Sequence, residues 1–471
     1  MASQRSPLLP IFLIVLVDVL GFTIVIPLLA YYAEHFGASP LVATTLVSVY
    51  AVCSLISTPI IGNLSDRYGR KPLLLISQAG TCAGFLMLAF SSSLWMVFVG
   101  RILDGITAGN LSTAQAYISD HTKPENRAKA FGIIGVAFGL GFMIGPAIGA
   151  ELGKHGLHLP FILAACLSAL SMLATYTLLP KREPVVEGAK EAAALPAGKR
   201  PSAFDIATYT EYFRRPGLAP LYAQFFLFTF MFSCFTSGMA LFAERRFYAE
   251  RDMTRIGTSC AFKPEMDLDP RSTPHGYVLV DDKRVDPGQW HLVDKQKVEL
   301  AAPACSATHV RMYVPWGVRE VGLLFTFAGL LGIILQGGLI GRLVKRFGEF
   351  RLGVAGFIAC VAAYVLLGNT FALPMLLGVT VISSFGTGVL RPVITSRITQ
   401  AVGRHEQGVA LGISGSLSSL AMSMAPPVGG LLLDGNHTLA WTLVPATVAA
   451  IGLVATLVTR PHATPVSSSA A

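Results

Sequence analysis

What most constrains this chain is a block of about twenty apolar residues that recurs twelve times, at 8–30, 41–61, 72–91, 94–118, 128–150, 159–179, 218–242, 320–341, 350–369, 372–396, 408–432 and 439–458. A helix of roughly twenty residues crosses the hydrocarbon core of a bilayer. No water reaches the backbone there, so a spanning segment is either a helix or part of a closed barrel. Barrel strands alternate apolar with polar residues, whereas these runs are continuous. Charge is correspondingly scarce, at 13% of 471 residues with a mean hydropathy of +0.59. A soluble domain carries about a quarter charged residues to cover its surface. The chain reads as an all-α membrane protein.

The first run, 8–30, is too long for the core of a signal peptide, holds Asp18 at its centre and lacks an Ala-x-Ala cleavage site. It is read as a retained span. The net charge of +9 is not spread as a nucleic-acid surface would require. Arg67, Arg70, Lys71, Lys123, Arg127, Lys129, Arg342, Lys345, Arg346, Arg351, Arg397 and Arg404 occupy one alternate set of loops, together with the basic stretch 181–215. The opposite short loops hold only Lys154. That bias predicts both termini in the cytoplasm of a multi-pass inner-membrane protein whose partner is the bilayer, with no nucleic acid.

The two ends of the chain repeat one another. Gly62-Asn-Leu-Ser-Asp-Arg-Tyr-Gly69 returns 279 positions later as Gly341-Arg-Leu-Val-Lys-Arg-Phe-Gly348. Gly145-Pro-Ala-Ile-Gly-Ala150 returns after 280 as Ala425-Pro-Pro-Val-Gly-Gly430. Gly132 and Gly135 map onto Gly412 and Gly415 at that same offset. A duplicated six-helix unit follows, with both copies starting on one side of the membrane, a parallel repeat related by an axis along the membrane normal. The expected division is a first bundle at 1–180, a polar linker at 181–217 and a second bundle at 218–471. The repeat breaks after Phe247, where about 68 extra residues intrude. This insertion, 248–316, is predicted on the periplasmic side, with short strands at Tyr277-Val-Leu-Val280 and Lys297-Val-Glu-Leu300. It carries Cys260 and Cys305. Two thiols in an oxidising compartment form a disulfide, stay free or join His275, His291 or His309 on a metal; the disulfide is the expectation, and no metal or cofactor is.

Three motifs carry mechanism. In the loop after the second span, Gly62, Asp66, Arg67, Gly69 and Arg70 stand in ordered spacing. Gly69 suits a tight turn, Asp66 suits the positive end of a helix, and the basic residues hold the loop inside. In the fifth span, Gly141, Gly145, Pro146 and Gly149 allow close helix contact and a bend. Within the membrane itself lie Asp18, and Arg101 with Asp104 one turn apart. Ionisable groups there mark an ion path or proton relay by default, and a carboxylate pulled up by burial and down by an arginine suits a proton carrier. They are expected to face a hollow shared by the two bundles. Asn110, Gln115, Gln224 and Arg391 are candidates to line the substrate cavity, with Gln336 as an outlier.

The first loop resembles the signature loop of the major facilitator superfamily, and the resemblance covers nearly all of the chain outside the insertion and the tail. It implies two parallel six-helix bundles around a central cavity. It also implies a latch in which Asp66 touches the opposite half and Arg70 pairs with Asp120, with Lys345 making the latch one-sided. The glycines of span five resemble the antiporter motif of exporters, with Ala150 in place of its last glycine. Asp18-Val-Leu-Gly21, Gly100-Arg-Ile-Leu-Asp-Gly-Ile-Thr107 and Phe138-Gly-Leu-Gly141 resemble the bacterial tetracycline exporters and related drug:proton antiporters. What this implies is a monomeric, proton-coupled exporter of a small organic molecule and not an enzyme. A phosphate-binding loop is missing from the sequence, so ATP is not the expected energy source. A proton symporter importing a metabolite or siderophore, and a receptor or assembly factor acting through the insertion, are the competing readings.

Overall fold

A computed structural model describes residues 8–121, 127–179, 206–215, 217–255, 261–264, 277–280, 283–284, 290–294, 297–300, 310–403 and 406–459. Cys260, Cys305 and most of the linker lie outside the described residues. So do the side chains of Asp66 and Asp120. Cys53, Cys82, Cys166, Cys234 and Cys360 are free thiols.

Among the described residues, nine helical stretches are by themselves long and apolar enough to cross a membrane. The longest, Val318–Gly368, holds spans 8 and 9 joined at Gly348, whose φ of 77° breaks the helix. Its counterpart Gly69, with φ 98°, joins span 2 (Pro40–Tyr68) to span 3 (Arg70–Ala89) as a one-residue connection. Only glycine holds that backbone without a Cβ penalty, so the two copies of the repeat share a physical joint. Span 1 is Leu8–His35, span 5 Arg127–His155, span 6 Leu159–Leu178 and span 7 Leu218–Arg246. Spans 10, 11 and 12 are Leu373–Gln400, Gln407–Asp434 and Thr438–Val458.

Span 4 departs from the continuous helix expected over 94–118. It is two helices, Leu94–Ile106 and Asn110–His121, broken at Thr107, Ala108 and Gly109. A break inside a membrane frees carbonyls that need donors, and the neighbouring spans supply them. The Ser57 hydroxyl donates to Gly105 O at 2.7 Å, Thr58 to Ala108 O at 2.9 Å, and Ser77 to Thr107 O. Ser77 Oγ also accepts from Gly109 N at 2.9 Å, using both hydrogen-bonding functions of one hydroxyl. Span 8 has a smaller irregularity, a π turn at Leu335–Leu339.

A seven-stranded antiparallel sheet lies between spans 7 and 8 in the chain. Its strands are β1 (Tyr248–Arg255), β2 (Ala261–Pro264), β3 (Tyr277–Val280), β4 (Lys283–Arg284), β5 (Trp290–Asp294), β6 (Lys297–Leu300) and β7 (Val310–Pro315), in the order β4-β3-β7-β1-β2-β6-β5. The strands expected at 277–280 and 297–300 are β3 and β6. The ladder from Tyr248↔Pro315 to Met253↔Val310 continues span 7 directly into the sheet. Val310, Met312 and Val314 alternate inward along β7 and join a core that reaches Trp441 in span 12 and Tyr31 in span 1.

The halves meet mainly through span 2 on span 11 and span 5 on span 8. Near the sheet these contacts are tight. A Cβ on Gly430 would lie 2.9 Å from Leu41 Cα, and one on Gly322 would lie 2.8 Å from Pro146 O. The Tyr31 hydroxyl, from the first half, reaches Ala240 O at 3.3 Å and Trp316 O at 3.2 Å. Toward the basic loops, Gly62, Gly337, Gly338, Gly341, Gly412 and Gly415 meet nothing within 4 Å. The halves are thus in tight contact at the sheet end.

A short helix, Ile206–Arg214, precedes span 7 and docks on the second half. Tyr212 is buried in that half's core, and Arg215 grips Glu406 with bonds of 2.9 and 2.8 Å. Arg215 holds the Glu406 carboxyl below the ordinary carboxylate value. A lowered folded value means the stabilisation is present above the unfolded value, about pH 4.3, and is lost as pH falls through the folded one. A nitroxide at Thr210→Cys is therefore expected to keep one mobility from pH 8 to 5 and to loosen at neutral pH when Glu406→Gln is added. Equal mobility with and without Glu406→Gln would remove this clasp.

Candidate functional site

Arg101 and Asp104 lie on one face of the first helix of span 4, one turn apart. Arg101 Nη1 donates to Asp104 Oδ2 at 2.9 Å, with the two side chains 4% and 6% exposed. The guanidinium also stacks 4.4 Å from the centroid of Tyr50 on span 2, a desolvated cation–π contact. Arg101 Nε is buried without a hydrogen-bond partner. Span 3 comes close because Gly84 faces Asp104, where a Cβ would lie 3.0 Å from Asp104 Cβ.

Asp18 sits across span 3 from this pair. Its Oδ1 is buried and makes no hydrogen bond, and Ser171 of span 6 and Gln78 of span 3 are its polar neighbours. Gln78 Nε2 donates to Ser171 Oγ at 2.7 Å, which leaves Gln78 Oε1 also without a donor. Val17, Asp18, Gly21, Thr81, Phe85, Ala164 and Ser168 line a small pocket here. The ionisable groups therefore lie inside the first bundle, among spans 1, 2, 3, 4 and 6, and not in a hollow shared by both halves. Asp18 keeps partial exposure.

The glycines of span 5 support Asp18 from the other side. Thr23 Oγ1 donates to Gly141 O at 2.8 Å, and a Cβ on Gly145 would lie 2.1 Å from Thr23 Oγ1. Gly149 abuts Ile24 O at 3.0 Å by the same measure. Small residues here bring span 5 against span 1 just beyond Asp18, while Pro146 O and Ala150 face Gly322 of the opposite half. One helix thereby touches both the acidic span and the second bundle.

In the signature loop, Arg67 is exposed and Arg70 Nη1 donates to Ser65 Oγ at 2.6 Å. Lys71 is 9% exposed and donates to Tyr176 O at 2.7 Å and to Leu179 O, so it caps the end of span 6. A cation suits the carbonyl end of a helix.

The four cavity candidates separate. Arg391 is exposed at mid-span of span 10. Asn110 begins the second helix of span 4, with its Oδ1 buried and unsatisfied. Gln115 is half-buried on that helix. Gln224 is fully buried between spans, donating to Thr459 Oγ1 at 3.0 Å and accepting from Arg397 Nη1 at 3.4 Å. That places it inside the second bundle. Gln336 is exposed on the π turn.

Sequence reasoning missed Tyr50, Gln78, Thr81, Ser168 and Ser171. A signal existed, since Gln78 with Thr81 and Ser168 with Ser171 each place polar groups one turn apart in an apolar helix. Nothing in the sequence says that these two faces meet.

Two bundles of membrane-spanning helices, the first carrying a buried ion pair, are the architecture of a membrane transporter. The Major Facilitator Superfamily profile matches residues 11–258 and 299–471, leaving out part of the sheet. The chain belongs to that superfamily. It is 34% identical over 261 residues to the class H tetracycline resistance protein of Pasteurella multocida, a match covering 55% of this chain and 63% of that protein. With the class G tetracycline resistance protein of Vibrio anguillarum it shares 27% over 448 residues, 93% of each chain. Among solved structures, the human organic anion transporter MFSD10 (TETRAN) superposes with a TM-score of 0.64 at 21% identity, covering 97% of this chain and 100% of that one.

Proposed function

We propose that this protein is a proton-coupled exporter of small amphiphilic organic molecules, of the tetracycline type, acting as a monomer in the bacterial inner membrane. The observation that carries this reading is the Asp18 carboxyl, with a buried oxygen lacking a donor, next to the buried Arg101–Asp104 pair. A buried carboxylate oxygen without a donor is costly, and a proton removes much of the cost. The relatives' names supply the substrate class.

The end with the basic loops faces the cytoplasm in this reading, and the sheet stands in the periplasm. Substrate enters at the cytoplasmic end and, in this reading, binds between the halves at Arg391, with Asn110 and Gln115 contributing from span 4. The halves then rock. The Tyr31 bonds to Ala240 and Trp316 break, the sheet end opens, and the loop holding Asp66 and Arg70 closes the cytoplasmic end. Protonation from outside at Asp18 or Asp104 removes a negative charge and resets the halves.

The test is flux in proteoliposomes with tetracycline as probe. Tetracycline is expected to accumulate against its gradient in vesicles with an acidic lumen, moving opposite to protons. Flux in the same direction as protons, or flux indifferent to the pH gradient, would overturn the reading.

A further inference from the structure

Asp18 and Asp104 face the same stretch of span 3 from opposite sides, and one residue touches both surroundings. Thr81 lines the pocket against Asp18 and is also the hydroxyl beside Asp104. The pocket has room for about one water molecule, the smallest space in which a water is held by protein groups. Its polar rim is Asp18, Thr81 and Ser168, and Gln78 stands next to Asp18. Two acceptors at this place, Asp18 Oδ1 and Gln78 Oε1, are buried without a donor. A water held in the pocket has a proton to donate to Asp18 Oδ1, the lining acceptor that lacks a donor. The remaining wall is apolar, formed by Val17, Phe85 and Ala164, so the water is confined to that polar rim.

We propose that the pocket between spans 1, 3 and 6 is a water site, and that this water and the Thr81 hydroxyl carry the proton between Asp18 and Asp104. The Asp18 carboxyl gives its proton to the water oxygen, and the water gives one of its own to Thr81 Oγ. Thr81 in turn passes its hydroxyl proton to Asp104. At the end Asp18 is a carboxylate and Asp104 a carboxylic acid, while water and threonine are chemically unchanged. The arriving proton neutralises the Asp104 charge that Arg101 holds at 2.9 Å, which frees the guanidinium. Gln78 and Ser171 are positioning residues. Their mutual hydrogen bond of 2.7 Å fixes the amide beside Asp18. Gln78 is further anchored through its carbonyl, which accepts from Ser168 Oγ at 3.1 Å.

This inference rests on the proton-coupling reading of Asp18, and one experiment separates the two. Infrared difference spectra of the purified, reconstituted full chain are recorded after a pH jump, in ordinary water and in water labelled with oxygen-18. No transported substrate is needed. Asp18→Asn identifies the Asp18 carboxyl band by its disappearance. In the wild type, an isotope-sensitive O–H band of one confined water is expected to change with that carboxyl band. Thr81→Val keeps the shape of the side chain but removes the hydroxyl, and is expected to abolish the water band and slow the carboxyl change about tenfold, a difference of one decade in rate. Thr81→Ser is expected to restore both. If Thr81→Val leaves the water band and the rate unchanged, or if Thr81→Ser fails to restore them in folded protein, the relay is wrong. If Asp18→Asn removes no titrating band, proton coupling at Asp18 fails first and the relay falls with it.

Discussion

Asp18→Asn is expected to abolish uphill transport while sparing exchange. Reconstituted and energised with a pH gradient, the variant should lose at least about 100-fold in tetracycline accumulation, the lower range for removing a positioned proton-transfer group. The reason is local. Asparagine has the size of the acid and carries no charge to bury, so folding has little reason to suffer. It cannot release a proton, so the halves have nothing to reset them against a substrate gradient. Exchange of external for internal tetracycline needs no net proton movement and should stay within about threefold, because no contact at the proposed substrate site changes. Accumulation at the wild-type level would take Asp18 out of the cycle. Loss of both activities in protein that folds normally would instead make Asp18 a substrate contact.

Arg101→Met should be the most damaging single change to stability. The substitution keeps an unbranched apolar stem but strands Asp104, whose side chain is 6% exposed, without its counter-charge. Breaking a buried pair from one side costs about 3–5 kcal/mol, because the remaining charge must be neutralised or hydrated. Loss of the stacking on Tyr50 adds about 1–2 kcal/mol for a desolvated contact. Replacing both partners, as Arg101→Met with Asp104→Leu, should recover most of that loss, since a pair traded for apolar groups is near neutral in stability. Unfolding free energies from detergent titration give both numbers. The double variant is also expected to be inactive in proton-driven flux. Full recovery of transport together with stability would reduce the pair to a clamp within span 4.

Much of the architecture was readable from residue order. Twelve apolar blocks, the basic loops and an offset of 279 to 280 residues between related segments announce two bundles of like orientation. The repeat was readable to the level of one dihedral angle, since Gly69 and Gly348 occupy matching positions and both hold positive φ. The strands at 277–280 and 297–300 showed as short β-branched and apolar runs between turn residues. Buried charge was equally plain. Asp18, Arg101 and Asp104 stand out against apolar neighbours because few sequences tolerate such residues in a span.

What remained hidden was everything that depends on which helix faces face each other. The break in span 4 follows from Ser57, Thr58 and Ser77, hydroxyls on two other helices that satisfy the freed carbonyls. Span 4 alone shows only a pair of glycines, Gly105 and Gly109, which a continuous helix also accommodates. Gln224 looked like a cavity residue until Thr459 and Arg397, far away in sequence, occupied both ends of its amide. The same limit explains Thr81 and Gln78, ordinary polar residues until span 3 places them between two acids.

Sequence by itself thus determined the placement and duplication of the spans, because the cost of unpaired backbone and charge in hydrocarbon acts on each segment separately. Tertiary structure alone decided that Asp18 and Asp104 share a wall of span 3 within the first bundle and that the halves pack tightly beneath the sheet. Those outcomes depend on pairwise approach of helices, and contact between residues a hundred positions apart leaves no periodicity for one chain to display.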